Sequence, residues 1–298
     1  MEIKEVLGIS FSAIRSNKLR SALTLLGIVV GVFSIIGVMT AMGVLQRSVE
    51  DELSGLGANT FQIQKFPQTG GGDERMRAKL RNRKNITYEQ ALRVKERATL
   101  AKNVGIEAFE NGKVLKSAYK ETNPEILVFG ENPDGLITNN WVVQDGRGIN
   151  DDDVEHRRNV ICIGQKLSKT LFPHSNALGD YVMLEGLRFQ VIGIFEEKGS
   201  SFGGNQDNFS VIPITAHMNK FGKERSFNIM VQSPSRAAYD DVYDQVHFAF
   251  RSIRHLRPNE EDDFAFFSND SLIEQFNDFT KYVKWGTIVI SSIALLAA

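Results

Sequence analysis

The hydrophobic pattern of the chain opens with a run that has no polar face. Ser21 to Gln46 reads SALTLLGIVVGVFSIIGVMTAMGVLQ, and no charged residue lies between Arg20 and Arg47. About 26 residues of helix rise about 39 Å, and a bilayer core is about 30 Å thick. A buried helix of a soluble protein rarely stays apolar on every face for that length, so the run predicts a transmembrane helix over 21–46. Residues 1–20 form a leader in which Val6, Leu7, Ile9, Phe11 and Ile14 alternate with Lys4, Ser10, Arg15 and Lys18. That mixture suits an amphipathic helix in the headgroup region, with an ordinary solvated helix as the alternative. Lys4, Arg15, Lys18 and Arg20 precede the run, and Arg47, Glu50, Asp51 and Glu52 follow it. The basic flank predicts a cytoplasmic N-terminus and a main domain outside the membrane. A cleaved signal ending at Ala41-Met42-Gly43 competes, but signal cores are about 7–15 residues long.

Beyond the span the period shortens to two, then alternates with helical spacing. Asn59 to Phe66 reads as a strand with Phe61 and Ile63 on one face. Thr87 with Gln90 makes a capping box and Ile86 with Ala91 a hydrophobic staple, opening a helix from Tyr88 to about Lys102. Val104–Phe109 and Lys113–Tyr119 read as strands joined at Asn111-Gly112 in a hairpin. Five further strands are expected at 126–130, 159–164, 180–184, 188–195 and 209–214, with Glu185-Gly186 as a turn and a short helix over 165–172. Phe227–Gln232 is a strand, Ser235 caps a helix carrying Ala238, Val242, Val246, Ala249 and Ile253 on one face, and Asp263–Phe267 is again a strand. Strand–helix–strand at both ends around a β-rich middle predicts an α+β fold, a split βαβ sandwich with an insertion. Leu272, Phe276, Phe279 and Val283 follow helical spacing into WGTIVISSIALLAA, about 14 residues, which reads as the truncated start of a second span. The divisions expected are therefore 47–125 and 223–270 for the two halves, 126–222 for the insertion, and 271–298 for a stalk helix and second span.

The composition, 42% hydrophobic with 24% charged residues, is that of a globular chain, so lipid-facing sequence is a minority. A net charge of −1 gives no support for nucleic acid as a partner. The single cysteine, Cys162, leaves the outer domain without an intrachain disulfide. The basic stretch Arg75 to Lys84 reads as a solvated loop, or as an anion or headgroup patch. Asp151, Asp152, Asp153, Glu155 and His156 lack the EF-hand pattern and read as a solvated acidic loop. No zinc-ligand spacing, G-x-S-x-G elbow or P-loop occurs, so no catalytic, cofactor or metal site is expected. Gly27 and Gly31 form a GxxxG, a candidate helix-packing face, with incidental glycines as the alternative.

The run Asn17-Lys18-Leu19-Arg20-Ser21-Ala22-Leu23-Thr24-Leu25-Leu26-Gly27-Ile28 resembles the start of the first span in MacB-type (MacB/FtsX-like) ABC transporter permeases. Leu56-Gly57-Ala58-Asn59-Thr60, Val191-Ile192-Gly193-Ile194-Phe195 through Lys198-Gly199 to Gln206-Asp207, and His255 with Asp262-Asp263-Phe264 are similar to the same family. The resemblance implies a periplasmic domain with a ferredoxin-like part and an inserted β-rich part between spans one and two. It also implies a permease of the bacterial inner membrane, coupling ATP hydrolysis on a cytoplasmic ATPase, fused ahead of the permease or encoded separately, to movement of the outer domains for export or efflux. The leader before Ser21 is too short to hold an ATPase, so a separate subunit is expected. ATP would sit on that partner and no cofactor on this chain. The implied partners are the ATPase, a second permease copy or paralogue, a periplasmic adaptor and membrane lipid. On the family pattern, Asn17, Lys18, Arg20 and Thr24 mark membrane insertion and coupling, Gly27 and Gly31 helix packing, and Gly199, Ser200, Ser201, Phe202 and Asp207 outer contacts. A membrane-anchored sensor or binding module is the alternative function.

Overall fold

The computed structural model describes residues 18–53, 59–67, 74–197, 200–201, 204–205, 207–268 and, in part, 280–289. The chain divides into two units, residues 1–50 with 272–298, and residues 51–271. The first carries helix α1, Lys18–Leu53, whose 36 residues rise about 54 Å. Its described apolar side chains are largely exposed, among them Leu23, Leu26, Phe33 and Ile36. Among the described residues no helix is long and apolar enough to cross a membrane. Of α1, side chains such as Arg20, Thr24, Leu25 and Ile28 lie outside that description.

The second unit is built on one mixed sheet of eleven strands. At one end lie β1 (Thr60–Gln64), β2 (Asn103–Lys113), β12 (Asn228–Gln232) and β13 (Ala265–Ser268), in the order β13-β1-β12-β2 with every neighbour antiparallel. Between β1 and β2 lie α2 (Glu74–Arg81) and α3 (Tyr88–Arg97), and between β12 and β13 lies α8 (Tyr239–Ile253). With α3 and α8 this is the split βαβ arrangement of a ferredoxin-like fold. Phe61, Ile63, Val104, Ile106, Ile229 and Val231 bury one sheet face against Ala91 and Val94 of α3 and Val242, Val246, Phe250 and Ile253 of α8. The capping box forms as expected. Gln90 N donates to Thr87 Oγ1 at 3.2 Å and Thr87 N to Gln90 Oε1 at 3.1 Å, with Ile86 and Ala91 both buried.

The insertion continues the same sheet. It contains β3 (Leu115–Lys116), β4 (Ile126–Glu131), α4 (Pro133–Thr138), β5 (Val143–Gly146), α5 (Asp151–Glu155), β6 (Val160–Ile163), α6 (Gln165–Leu171), β7 (Tyr181–Leu184), β8 (Leu187–Phe195), β9 (Ser200–Ser201), β10 (Gly204–Asn205), β11 (Phe209–Pro213) and α7 (Ile214–Phe221). The order runs on from β2 as β4-β11-β6-β8-β7-β3, with β5 on β8, while β9 and β10 form a separate ribbon. The Glu185-Gly186 turn joins β7 to β8 with φ of 49° and 81°, the left-handed pair a two-residue hairpin needs.

Several expectations are corrected here. The hairpin at Asn111-Gly112 does not form. β2 runs straight to Lys113 through a bulge, pairing β12 with its first half and β4 with its second, while Leu115–Lys116 pairs β7. Gly112, at φ 70°, supplies irregularity rather than a reversal. The helix after Thr87 ends at Arg97, short of Lys102. Ser235 Oγ accepts from Ala238 N at 3.3 Å, capping a turn before α8 rather than α8 itself. The acidic loop is the Asn150-capped helix α5, where buried Asp153 takes a two-pronged bond from Arg147 at 2.5 and 3.0 Å. The basic loop is α2 plus a tethered Arg83.

Candidate functional site

The chain enters the larger unit through β1 and leaves it through β13. These strands are antiparallel neighbours, with Phe61 opposite Ser268 and Gln64 opposite Ala265. The first residues of β1 and the last of β13 therefore lie side by side at one end of the sheet. Both chain connections to the residues outside this unit therefore leave it at that corner.

Two layers of side chains hold this strand pair to the helices. The inner layer is aromatic. Phe61 sits edge-on to Tyr239 and Tyr243 at 5.5 and 5.4 Å, Tyr243 lies 4.4 Å from Phe266, and Phe250 lies 4.7 Å from Phe264. Such pairs add about 0.5–1.5 kcal/mol each beyond their buried area.

The outer layer is ionic, comes from the last turns of α8, and grips the opposite end of the pair, where β1 ends and β13 begins. Arg254, whose side chain is 3% exposed, clasps Asp263 with two nitrogens, Nε to Oδ1 at 3.0 Å. Its remaining donors reach the carbonyls of Lys84 and Asn85 and the Gln90 side chain at 3.0–3.2 Å. Arg251 pairs with Asp262, whose other oxygen meets His247 Nε2 at 2.8 Å. Arg83 donates to the carbonyls of Lys65 and Asp262 at 2.9 and 3.2 Å, and Lys79 of α2 pairs with Glu261. The basic stretch is thus a clamp that ties the approach to β13 back onto α3 and α8.

Beside the far end of β1 lies a cleft of about 590 Å³, lined by Gln64, Phe66, Asn85, Phe109, Arg225 and Asn228 among others. Its polar groups are largely used within the protein. Lys65 Nζ donates to Asn85 at 2.9 Å, Asn85 to the Glu224 carbonyl at 2.7 Å, and Arg225 pairs with Glu110. Cys162 is buried, and burial pushes its thiol up to about 12, far from the thiolate a nucleophile requires. Among the described residues no group of three His, Cys, Asp or Glu is placed to hold a metal ion.

Of the residues singled out in the sequence, Lys18 is exposed on α1, which also contains Arg20, Thr24, Gly27 and Gly31. Ser200 and Ser201 form β9, paired with β10. Asp207 is buried, and its carbonyl lies where a Cβ on Gly164 would have to go. Asn17, Gly199 and Phe202 lie outside the described residues. Arg251 and Arg254 were missed. Their signal is a pair of arginines at i, i+3 at a helix end, followed about ten residues later by Asp-Asp.

Comparison with known proteins matches this architecture. Residues 21–247 match the family described as MacB-like periplasmic core domain. The macrolide export ATP-binding/permease protein MacB of Wolinella succinogenes is 26% identical over 301 residues, covering 100% of this chain and 44% of the relative. The protein of the same name from Aggregatibacter actinomycetemcomitans is 27% identical, covering 99% and 44%. The chain thus spans less than half the length of these relatives. Among solved structures, the periplasmic region of MacB from Actinobacillus actinomycetemcomitans superposes with a TM-score of 0.60 at 19% identity, over 77% of this chain and 97% of that one. The extracellular domain of the noncanonic ABC-type transporter YknZ from Gram-positive bacteria superposes at 0.55 with 20% identity, over 70% and 100%. These two likenesses are of fold. The family match covers most of the sequence, and the chain belongs to the MacB-like periplasmic core domain family.

Proposed function

We propose that this chain is the first span and extracytoplasmic core of an ABC transporter permease subunit that works by mechanical transmission. In this reading α1 lies in the inner membrane with its N-terminus in the cytoplasm, and residues 51–271 stand in the periplasm. The exposed apolar side chains of α1 and the uncharged run from Ser21 to Gln46 support lipid as its surroundings. ATP is bound and hydrolysed by a partner ATPase, and this chain contributes movement rather than catalysis. A second permease copy or paralogue completes the membrane part, and a periplasmic adaptor is a further partner of the outer unit.

The observation that carries the proposal is the corner. Both covalent connections of the outer unit emerge from neighbouring strands, and an ion-paired clamp of Arg83, Arg251 and Arg254 anchors the opposite end of the same two strands to α3 and α8. A device that converts helix displacement into domain displacement needs the strands that receive the pull to be anchored firmly to the rest of the domain.

The test is to purify the permease from membranes, identify the co-purifying ATPase, and reconstitute both with wild-type or Arg254→Ala permease. Losing one partner of a buried pair costs about 3–5 kcal/mol. We expect the variant to bind the ATPase and support hydrolysis while moving less substrate per ATP. An unchanged transport-to-hydrolysis ratio, or a permease active with no ATPase bound, would refute the reading.

A further inference from the structure

Glu107 on β2 and Glu131 at the end of β4 face each other directly across an antiparallel seam. This is the seam where the ferredoxin-like strands meet the insertion. Ile106 and Ala108 of β2 point into the core under α3 and α8, so Glu107 points to the other face. There α4 packs closely, with Gly135 and Thr138 against Gly105. Both carboxyls are buried, Glu131 completely.

Their surroundings hold amides and no cation among the described partners. Asn139 Nδ2 donates to Glu107 Oε2 at 3.2 Å and to Glu131 Oε1 at 3.1 Å, and Asn228 Nδ2 donates to Glu107 Oε1 at 2.9 Å. Asn132 is occupied with the backbone of β2, accepting from Ile106 N and donating to the Val104 carbonyl. The nearby charge on α4, Asp134, is taken by Lys95 at 2.8 Å. On β2 the next charge, Glu110, lies on the opposite face with Arg225. β11 offers only Phe209, Val211 and Pro213 to this side. Glu131 Oε2 is buried with no hydrogen-bond partner.

Two carboxylates in a dry site cannot both ionise, because each loses its hydration and repels the other. We propose that Glu107 and Glu131 form a proton-binding site, holding one shared proton at neutral pH, and that losing this proton loosens the β2–β4 seam. The proton turns one carboxyl into a donor to its neighbour and relieves the repulsion. Burial, then the charge of Glu107 and the bond to it, pushes Glu131 well above the usual glutamate range. The folded chain therefore keeps a proton that the unfolded chain has released. Stability from this site is full at acid pH and falls as pH rises through neutrality toward the folded-state value.

The experiment uses the full chain in detergent. Infrared spectroscopy at about pH 7 should show the C=O stretch of a buried protonated carboxyl, and Glu131→Gln should lose it. Thermal unfolding between about pH 6 and about pH 9 should give a Tm that falls with pH in the wild type and stays nearly level in the variant. Exchange of β2 and β4 amides, corrected for intrinsic pH dependence, should rise with pH only in the wild type. Absence of the band in the wild type, its persistence in Glu131→Gln, or an equal Tm slope in both would overturn the proposal. Should Glu131→Gln fail to fold, Glu107→Gln repeats the comparison from the other member, and the wild-type spectrum alone still decides.

Discussion

His217 on α7 is fully buried, and neither ring nitrogen has a hydrogen-bond partner among the described residues. Its ring lies tilted against Phe221 at 4.8 Å and fills the space over Gly130. Burial, helped by the charge of Lys113, lowers it from 6.5 to about 4. The unfolded chain thus binds a proton in that window which the folded chain refuses. Stability is full above about pH 6.5 and drops as pH falls toward about 4, by about 3 kcal/mol in total. We expect His217→Leu to unfold at a higher temperature than the wild type at about pH 5, with the gap narrowing above about pH 7. Thermal melts across that range check it, and an identical acid limb in both proteins would count against it. This effect runs opposite in pH to the Glu131 effect, so the two substitutions separate cleanly. Neither residue could be singled out from sequence. A lone histidine and two glutamates 24 positions apart carry no local pattern, and only the register of β2 on β4 brings the carboxyls together.

Elements were far more legible than sites, for a reason visible at α3 and α8. Thr87 with Gln90 is a purely local motif, and it starts its helix where expected. Replacing Thr87 by Ala should lower stability by about 1 kcal/mol, read as a shift in the denaturant midpoint at constant slope. The inward face of α8 was also readable, except that Phe250 rather than Ala249 fills the core. The failures came where tertiary pairing overrode local chemistry. Asn111-Gly112 has the composition of a hairpin turn, yet β4 offers the second half of β2 a longer ladder than a hairpin would. The short elements α4, β5, α5 and α7 went unseen because stretches of four to eight residues set no clear period. The clamp was only half readable because, beside the Asp262 and Asp263 carboxylates, its acceptors are carbonyls of Lys65, Lys84, Asn85 and Asp262, which side-chain identity does not encode.

For the whole molecule, the α+β class and the nesting of a β-rich segment inside a split βαβ unit followed from the order of periods along the chain. The fusion of both parts into one sheet did not, since strand order depends on contacts between distant segments. In the proposed membrane setting, we propose that Gly27 and Gly31 of α1 serve as a close-approach face. Gly31→Leu is expected to reduce permease–permease crosslinking several-fold in membranes while leaving the melting of the outer unit unchanged. Undiminished crosslinking would remove the GxxxG from the pairing surface.

The adjacency of β1 and β13 also dictates which movements the outer unit tolerates. Flanking segments pulled apart would peel the edge strand away rung by rung, beginning at Phe61 and Ser268, and each rung resists alone. Helices that swing together load every rung at once and leave the ladder intact. A unit tethered in this way is suited to being tilted as a lever and poorly suited to being pried open.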